Sequence, residues 1–278
     1  MNGKVVVITG GTSGIGQIAA ERLAGMGARI ILMARDKARA ETALARLKQC
    51  GPGAAHGVHY ADLSVIAEMK RVAGEIAAAE PRIDVLINNT GALFYQRQET
   101  PDGLEMTFAT NHVSYFVLTQ LLLDRLKAAG PARVVSTSSM AHRGNVLNFD
   151  DLQMVHSYKS FTAYGRSKLC NILFTREFAR QLVGTGVTAN CLHPGFVNTR
   201  FGDGGRGAFA SVFRLAKQIF AITPEKGAET IVYLASSKAV EGVSGNYFIK
   251  CAPATPTAEA QDDESARRLW QETEKLVR

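Results

Sequence analysis

Short runs of β-branched and aliphatic residues alternate along the chain with longer stretches whose apolar positions recur at helical spacing. Strand-like runs at 5–8, 29–33 and 56–60 precede helical patterns at 15–26, 37–49 and 65–79. Further on, 85–87 precedes a helical region over 104–129, 134–136 precedes 162–182, and 187–192 precedes a Phe-rich helix over 207–221. A helix over 224–236 leads to a last strand at 246–249, and a Pro/Thr/Ala stretch over 252–260 runs into a terminal helix over 265–276. Repeated strand–helix alternation predicts an α/β protein: a doubly wound parallel sheet of about seven strands with helices on both faces. Neither an internal repeat nor a linker divides it, so residues 1–278 read as one domain with a helical extension over 260–278.

Composition narrows the class. Of 278 residues, 46% are hydrophobic and 21% charged, with 26 Gly and 8 Pro, which excludes a disordered chain, a collagen-like repeat and a multi-pass membrane protein. Cys50, Cys170, Cys191 and Cys251 are widely spaced, with no C-x-x-C pair and no His at zinc-finger spacing. That predicts free thiols in a reducing cytoplasm and no metal site. The net charge of +7 is dispersed apart from Arg35, Lys37 and Arg39, and nothing resembles a nucleic-acid reading motif. The longest apolar stretch, 113–123, is interrupted by Ser114, Thr119 and Gln120 and is too short to span a bilayer. No signal peptide is recognisable ahead of the first strand.

In a doubly wound sheet, ligands are expected at the carboxyl ends of the strands, where strand order reverses. The run Thr9-Gly10-Gly11-Thr12-Ser13-Gly14-Ile15-Gly16 lies between the first strand and the first helix. Glycines there permit a tight turn and let backbone N–H groups approach a pyrophosphate at a helix N-terminus, the Rossmann-type arrangement. Tyr164 and Lys168 are four residues apart on a predicted helix and share one face. A phenol is a poor base at neutral pH, but an adjacent ammonium favours the phenolate and is expected to lower its pKa. Thr137-Ser138-Ser139, ending the fifth strand, brings a serine to the same edge, and only one of the two adjacent serines should face the site.

Together these residues resemble the short-chain dehydrogenases/reductases over nearly the whole chain. Thr9-Gly10 through Gly14-Ile15-Gly16, with Thr12 and Ser13 between, looks like the family's cofactor loop; Asp62-Leu63 looks like its adenine contact. Asn88-Asn89-Thr90-Gly91 resembles its N-N-A-G motif, with Thr in place of Ala. Asn111, Ser139, Tyr164 and Lys168 match its catalytic tetrad, while Pro194-Gly195, Val197 and Thr199 match its nicotinamide-contacting segment. Thr100-Pro101-Asp102-Gly103-Leu104-Glu105, Asn111-His112, Ser138-Ser139-Met140-Ala141-His142, Ser167-Lys168-Leu169 and His193-Pro194-Gly195 read like the retinol dehydrogenase-like branch. So does the separation of 25 residues between Ser139 and Tyr164, and this resemblance implies Ser139 as the serine that faces the site, leaving Ser138 to bond backbone. The resemblance implies that Lys168 also bonds the nicotinamide ribose, that Asn111 holds a proton-relaying water, and that two copies pair through the helices bearing Asn111 and Tyr164. Many animal members of that branch carry an N-terminal membrane anchor, whereas here the first strand begins near the first residue. Asp62-Leu63-Ser64 has an alternative reading as a turn that caps the next helix.

The end of the second strand bears on cofactor choice, because an acid there suits a ribose 2′-OH and a base suits a 2′-phosphate. Met33-Ala34-Arg35-Asp36 puts Arg35 in the phosphate-favouring place and so favours NADP(H) over NAD(H); Asp36 either caps the next helix or contacts ribose. Phe196, Phe201, Phe209, Phe213 and Phe220 fall in 196–222, where the family places a substrate lid, and Phe94 and Tyr95 are candidates for the opposite wall. The expected substrate is a hydrophobic alcohol, aldehyde or ketone. Arg206, Arg214 and Lys217 leave peripheral membrane contact open. The rival expectation is a non-catalytic NADP(H)-binding regulator on the same fold, which an intact Asn, Ser, Tyr and Lys set disfavours.

Overall fold

The inner strands of the sheet are buried on both faces, which is why they read as nearly continuous apolar runs. The computed structural model describes residues 1–196 and 222–278. Its strands are β1 (Val5–Thr9), β2 (Arg29–Ala34), β3 (Gly57–Tyr60), β4 (Val85–Asn88), β5 (Ala132–Thr137), β6 (Val187–His193), β7 (Tyr247–Ile249) and β8 (Ala252–Ala254). They form one sheet in the order β3-β2-β1-β4-β5-β6-β7-β8. The first seven are parallel; β8 returns antiparallel through a two-residue turn at Lys250 and Cys251, both at positive φ. The sheet therefore holds eight strands among the described residues, one more than expected. Pro253 disguises β8 in the sequence, but an edge strand tolerates a residue without an N–H.

Alternation along each strand feeds two cores. Val5 and Val7 of β1, with Ile31 and Met33 of β2, pack on one face; Val6 and Ile8, with Ile30 and Leu32, pack on the other. The second face is covered by α1 (Gly14–Gly25), α2 (Lys37–Cys50) and, further along the chain, Pro224–Ser236. The first face carries α3 (Ile66–Ala79) and the region expected as one helix over 104–129, which is interrupted. A turn of helix, α4 (Met106–Phe108), capped by the Glu105 carboxylate, passes into a π-helical turn at Ala109–Val113, then α5 (Ser114–Leu121) and α6 (Leu123–Ala128). Beside it lies α7 (Ser160–Gln181); Pro224–Ser236 is α8, and the terminal helix is α9 (Asp263–Val277). The expected helix over 207–221 and most of the lid over 196–222 lie outside the described residues.

The terminal helix α9 docks on α5 and α7. Trp270 packs edge-on against Phe116 at 4.8 Å and stacks on Phe174 and Phe178 at 5.8 and 6.0 Å. Asp263 pairs with Arg176 and Arg180 at 2.9 and 2.8 Å. Part of the surface formed by α5 and α7 is thus covered within one chain by Trp270 and Asp263.

His112, in the π-helical turn, is wholly enclosed beneath α9, and burial pushes its pKa down to about 3 despite the opposing effect of Asn171. The unfolded chain, whose His titrates near 6.5, binds this proton first as pH falls. The stabilisation from keeping His112 neutral is complete above that value and is lost progressively toward pH 3. Urea unfolding between pH 7 and 4.5 is expected to show a steeper loss of stability in the parent than in His112→Phe; equal slopes would contradict this assignment.

Candidate active site

Strand order reverses between β1 and β4, so the loops after these two strands face one crevice. After β1, Gly10 and Gly14 have φ of +66° and +56°, which glycine adopts without strain. A Cβ on Gly16 would stand 2.3 Å from the Gly10 carbonyl and 2.4 Å from Asn89 Nδ2, so only glycine lets α1 begin this close to the loop. Ser13 precedes α1 without capping it through its side chain, so the first-turn N–H groups are not occupied from that residue. Thr12 faces the adjacent groove between α1 and α2, which is lined also by Gln17, Arg39, Thr42 and Arg46 and encloses ≈ 310 Å³. This cradle suits a pyrophosphate.

The loop after β4 is tied to the loop after β1. Thr9 Oγ1 accepts the N–H groups of Asn89 and Thr90 at 2.9 and 3.0 Å, and Asn89 Nδ2 donates to the Thr9 and Gly10 carbonyls, both at 3.3 Å. Sequence reasoning did not single out Thr9 for this role, since its hydroxyl acts on a loop some 80 positions away. A Cβ on Gly91 would stand 3.2 Å from Lys168 Nζ. The glycine of Asn88-Asn89-Thr90-Gly91 therefore allows a close approach to the lysine.

Four side chains expected to act together do meet. Asn111, fully buried in the π-helical turn, accepts the Ala92 N–H at 2.8 Å and donates to the Ala92 carbonyl and to Ser167 Oγ, both at 2.9 Å. Ser167 in turn donates to the Tyr164 carbonyl at 2.7 Å. Lys168 Nζ donates to the Thr137 carbonyl at 3.1 Å and lies 5.6 Å from the Tyr164 ring centroid. Ser139 hydrogen-bonds Tyr164. Ser138 instead donates to the Lys168 carbonyl at 2.7 Å, the backbone role expected of it. Ser139 and its neighbour are each held by a histidine: His142 Nδ1 donates to the Ser139 carbonyl at 2.6 Å, and His193 Nδ1 accepts the Met140 N–H at 3.2 Å. Ser167, His142 and His193 stood inside quoted motifs, but nothing in their spacing revealed which atoms they hold. Asn171, one turn beyond Lys168, donates to the same Thr137 carbonyl at 3.1 Å.

Electrostatics departs from expectation. The cation is near the phenol, yet burial raises the Tyr164 pKa to about 12, against the lowering effect of the Ser139 hydrogen bond. Burial likewise pushes the Lys168 ammonium down to about 7. Desolvation penalises the charged form of each group, so the phenol keeps its proton at neutral pH.

At the end of β2, Arg35 is 76% exposed and 3.5 Å from Asp62. Asp36 caps α2 by accepting the Arg39 N–H at 3.0 Å and pairs with the Arg39 side chain at 3.4 Å. Asp62 accepts the N–H and hydroxyl of Ser64 at 3.0 and 2.7 Å, the turn role read as its alternative. Desolvation opposes its ionisation, but Ser64 and Arg35 together hold its pKa below the usual carboxylate value. Leu63 is buried beside it. Pro194 and Gly195 follow β6 at the same sheet edge; Gly195 has a φ of +97°, and a Cβ there would meet Ile222 at 2.5 Å. Val197 and Thr199 lie outside the described residues, as do Phe201, Phe209, Phe213, Phe220, Arg206, Arg214 and Lys217. No helix of the described residues is long and apolar enough to cross a membrane.

Comparison with known proteins agrees with this geometry. The short chain dehydrogenase family model matches residues 4–205. Retinol dehydrogenase 14 of Mus musculus is 43% identical over 289 residues, covering 100% of this chain and 86% of its own. An uncharacterised protein from Mycobacterium paratuberculosis superposes with a TM-score of 0.79 at 31% identity, over 99% of this chain and 94% of that one. The Pseudomonas aeruginosa RhlG/NADP active-site complex gives 0.71 at 28% identity, over 89% and 94%. A glycine cradle at the switch point, a cluster of Asn111, Ser139, Tyr164 and Lys168 near the ends of β4 and β5, and these matches together place the chain in the short-chain dehydrogenase/reductase family, as a retinol dehydrogenase-like oxidoreductase of alcohol and carbonyl groups.

Proposed function

We propose that the protein transfers a hydride between NADP(H) and a hydrophobic alcohol, aldehyde or ketone, with Tyr164 as the acid and base. The observation that carries this reading is the convergence of Ser139, Tyr164 and Lys168 beside the cradle formed by Gly10, Gly14 and Gly16. When bound, the nicotinamide supplies the hydride donor or acceptor. Gly10, Thr12, Ser13, Gly14, Ile15 and Gly16 would hold its pyrophosphate, Asp62 and Leu63 its adenine, Asn89 and Gly91 the adjoining ribose, and Pro194, Gly195, Val197 and Thr199 the nicotinamide. Lys168 bonds the nicotinamide ribose. Ser139 orients the substrate oxygen. Tyr164, protonated at neutral pH, gives its proton to that oxygen as a carbonyl is reduced and recovers it in the opposite direction. Lys168 and the water held at Asn111 return the proton to the phenol.

Retinol, the alcohol in the name of the Mus musculus relative, is hydrophobic, and the five phenylalanines over 196–222 suit a substrate of that class. The free thiols Cys50, Cys170, Cys191 and Cys251 suit a reducing, cytoplasmic setting. The reading includes a homodimer paired through the helices bearing Asn111 and Tyr164. The deciding experiment is NADPH consumption over aldehydes, ketones and quinones of graded size, including retinaldehyde. Binding of NADPH without turnover of any of them would favour the non-catalytic regulator.

Preference for NADP(H) rests on Arg35, exposed at the end of β2 where the adenosine ribose would lie, with Asp36 committed to capping α2. A charge-assisted hydrogen bond contributes roughly 1.5–3 kcal/mol. Arg35→Ala is therefore expected to weaken NADPH roughly tenfold to a hundredfold while leaving NADH nearly unchanged. The ratio of kcat/KM for the two cofactors measures this, and an unaltered ratio would remove Arg35 from the phosphate site.

A further inference from the structure

The terminal helix does more than cover α5 and α7. Thr273, fully buried in α9, donates its hydroxyl proton to the Leu269 carbonyl at 2.8 Å. Its contact with His112 Nε2 at 2.9 Å must then be a bond that His112 donates and Thr273 Oγ1 accepts. This fixes the tautomer of a ring that is itself wedged between Phe108 and Phe174, with centroids at 5.2 and 6.2 Å. His112 is the next residue after Asn111, and both lie in the π-helical turn Ala109–Val113. Such turns carry one residue more than the α-helical spacing provides, so the direction of each side chain depends on what anchors its neighbours. Asn111 is anchored on the inner side by the Ala92 backbone and Ser167. On the outer side the anchor is His112, and behind it Thr273. Asn171 stands beside His112 and shares the Thr137 carbonyl with Lys168 Nζ, so the ring follows Asn111 in the chain and is linked to Lys168 through Asn171 and that carbonyl.

We propose that His112 and Thr273 are positioning residues, through which the C-terminal helix sets the π-helical turn that aims Asn111. The inference rests on the reading above, in which Asn111 takes part in proton return. The bond between His112 and Thr273 is then a condition of full turnover and not only of stability, although Thr273 lies far from the glycine cradle in sequence. Such positioning carries a large rate factor because a displacement of the order of 1 Å in a reacting group costs up to about a hundredfold.

The test compares kcat per NADPH-binding site, the KM for NADPH, and the thermal midpoint in four variants of the full chain, using a short aliphatic aldehyde as substrate. Thr273→Val keeps the shape and removes the acceptor; it is expected to lower kcat roughly tenfold with the KM for NADPH within about twofold. Thr273→Ser keeps the hydroxyl and is expected to restore kcat. Asp263→Asn weakens the ion pairs of α9 with Arg176 and Arg180 without touching Thr273, and is expected to lower the midpoint while leaving kcat per site unchanged. Asn111→Ala tests the reading on which the inference rests. Loss of turnover in Asn111→Ala with parental kcat in Thr273→Val would overturn the positioning role alone. Equal kcat losses in Thr273→Val and Asp263→Asn would reduce it to general stability. Parental kcat in Asn111→Ala would overturn the reading itself.

Discussion

Tyr164→Phe is expected to lower kcat roughly 10²- to 10⁴-fold while NADPH still binds with close to parental affinity. The substitution removes the one hydroxyl that joins Ser139 to the Lys168 side of the site, and it leaves the glycine cradle after β1 intact. Its ring still occupies the same space, so the loss reads as loss of the proton and not of the fold. Quenching of protein fluorescence by NADPH gives the affinity, and single-turnover oxidation of NADPH gives the chemical step. Turnover within a few-fold of the parent would show that another group moves the proton. Unchanged, negligible turnover in both parent and variant would instead point to the regulator.

The largest effect on stability is expected at Phe174, on the opposite side of α7 from the crevice. Only 2% exposed, it stacks on Phe178 at 5.6 Å and on Trp270 at 5.8 Å, and lies 6.1 Å from Phe116 and 6.2 Å from His112. Truncation removes the ring on which three elements converge and leaves a cavity that stacked neighbours cannot fill without losing their own contacts. Phe174→Ala should cost about 3–5 kcal/mol, measured from the urea midpoint at constant m-value. A loss below about 1 kcal/mol would mean that α9 can repack onto α7 without this ring.

Much of the catalytic edge was readable from order along the chain. Once the alternation of buried strands and amphipathic helices fixes a doubly wound sheet, Gly10 to Gly16, Asn89 to Gly91, Ser139 and Pro194-Gly195 must fall at one edge, because each follows a strand that points the same way. Tyr164 and Lys168 needed only helical spacing to share a face. Local chemistry also resolved as local rules allow: Asp36 caps α2 and Asp62 turns on Ser64, with each acceptor bonded to an N–H two or three residues on. Less legible were the breaks. The region 104–129 is apolar around most of its circumference, so no period betrays the π-helical turn that inserts an extra residue at Asn111. The strand β8 is three residues long and contains Pro253, and only its pairing with β7 reveals it.

Sequence by itself determined the parallel sheet, the glycine loop and the shared face of Tyr164 and Lys168, because these follow from periodicity, glycine chemistry and helical spacing, while Asn111 and Ser139 were named through the family resemblance. It also placed a terminal helix over 265–276, whose buried face carries Ala266, Leu269 and Thr273. Tertiary structure alone decided where that apolar face goes, since burial of a stripe has no preferred partner until the sheet has brought α5 and α7 side by side. The charge state of the site was decided at the same level. Proximity of Lys168 to Tyr164 is a matter of four residues on a helix, whereas the desolvation that holds the phenol protonated comes from everything packed around them.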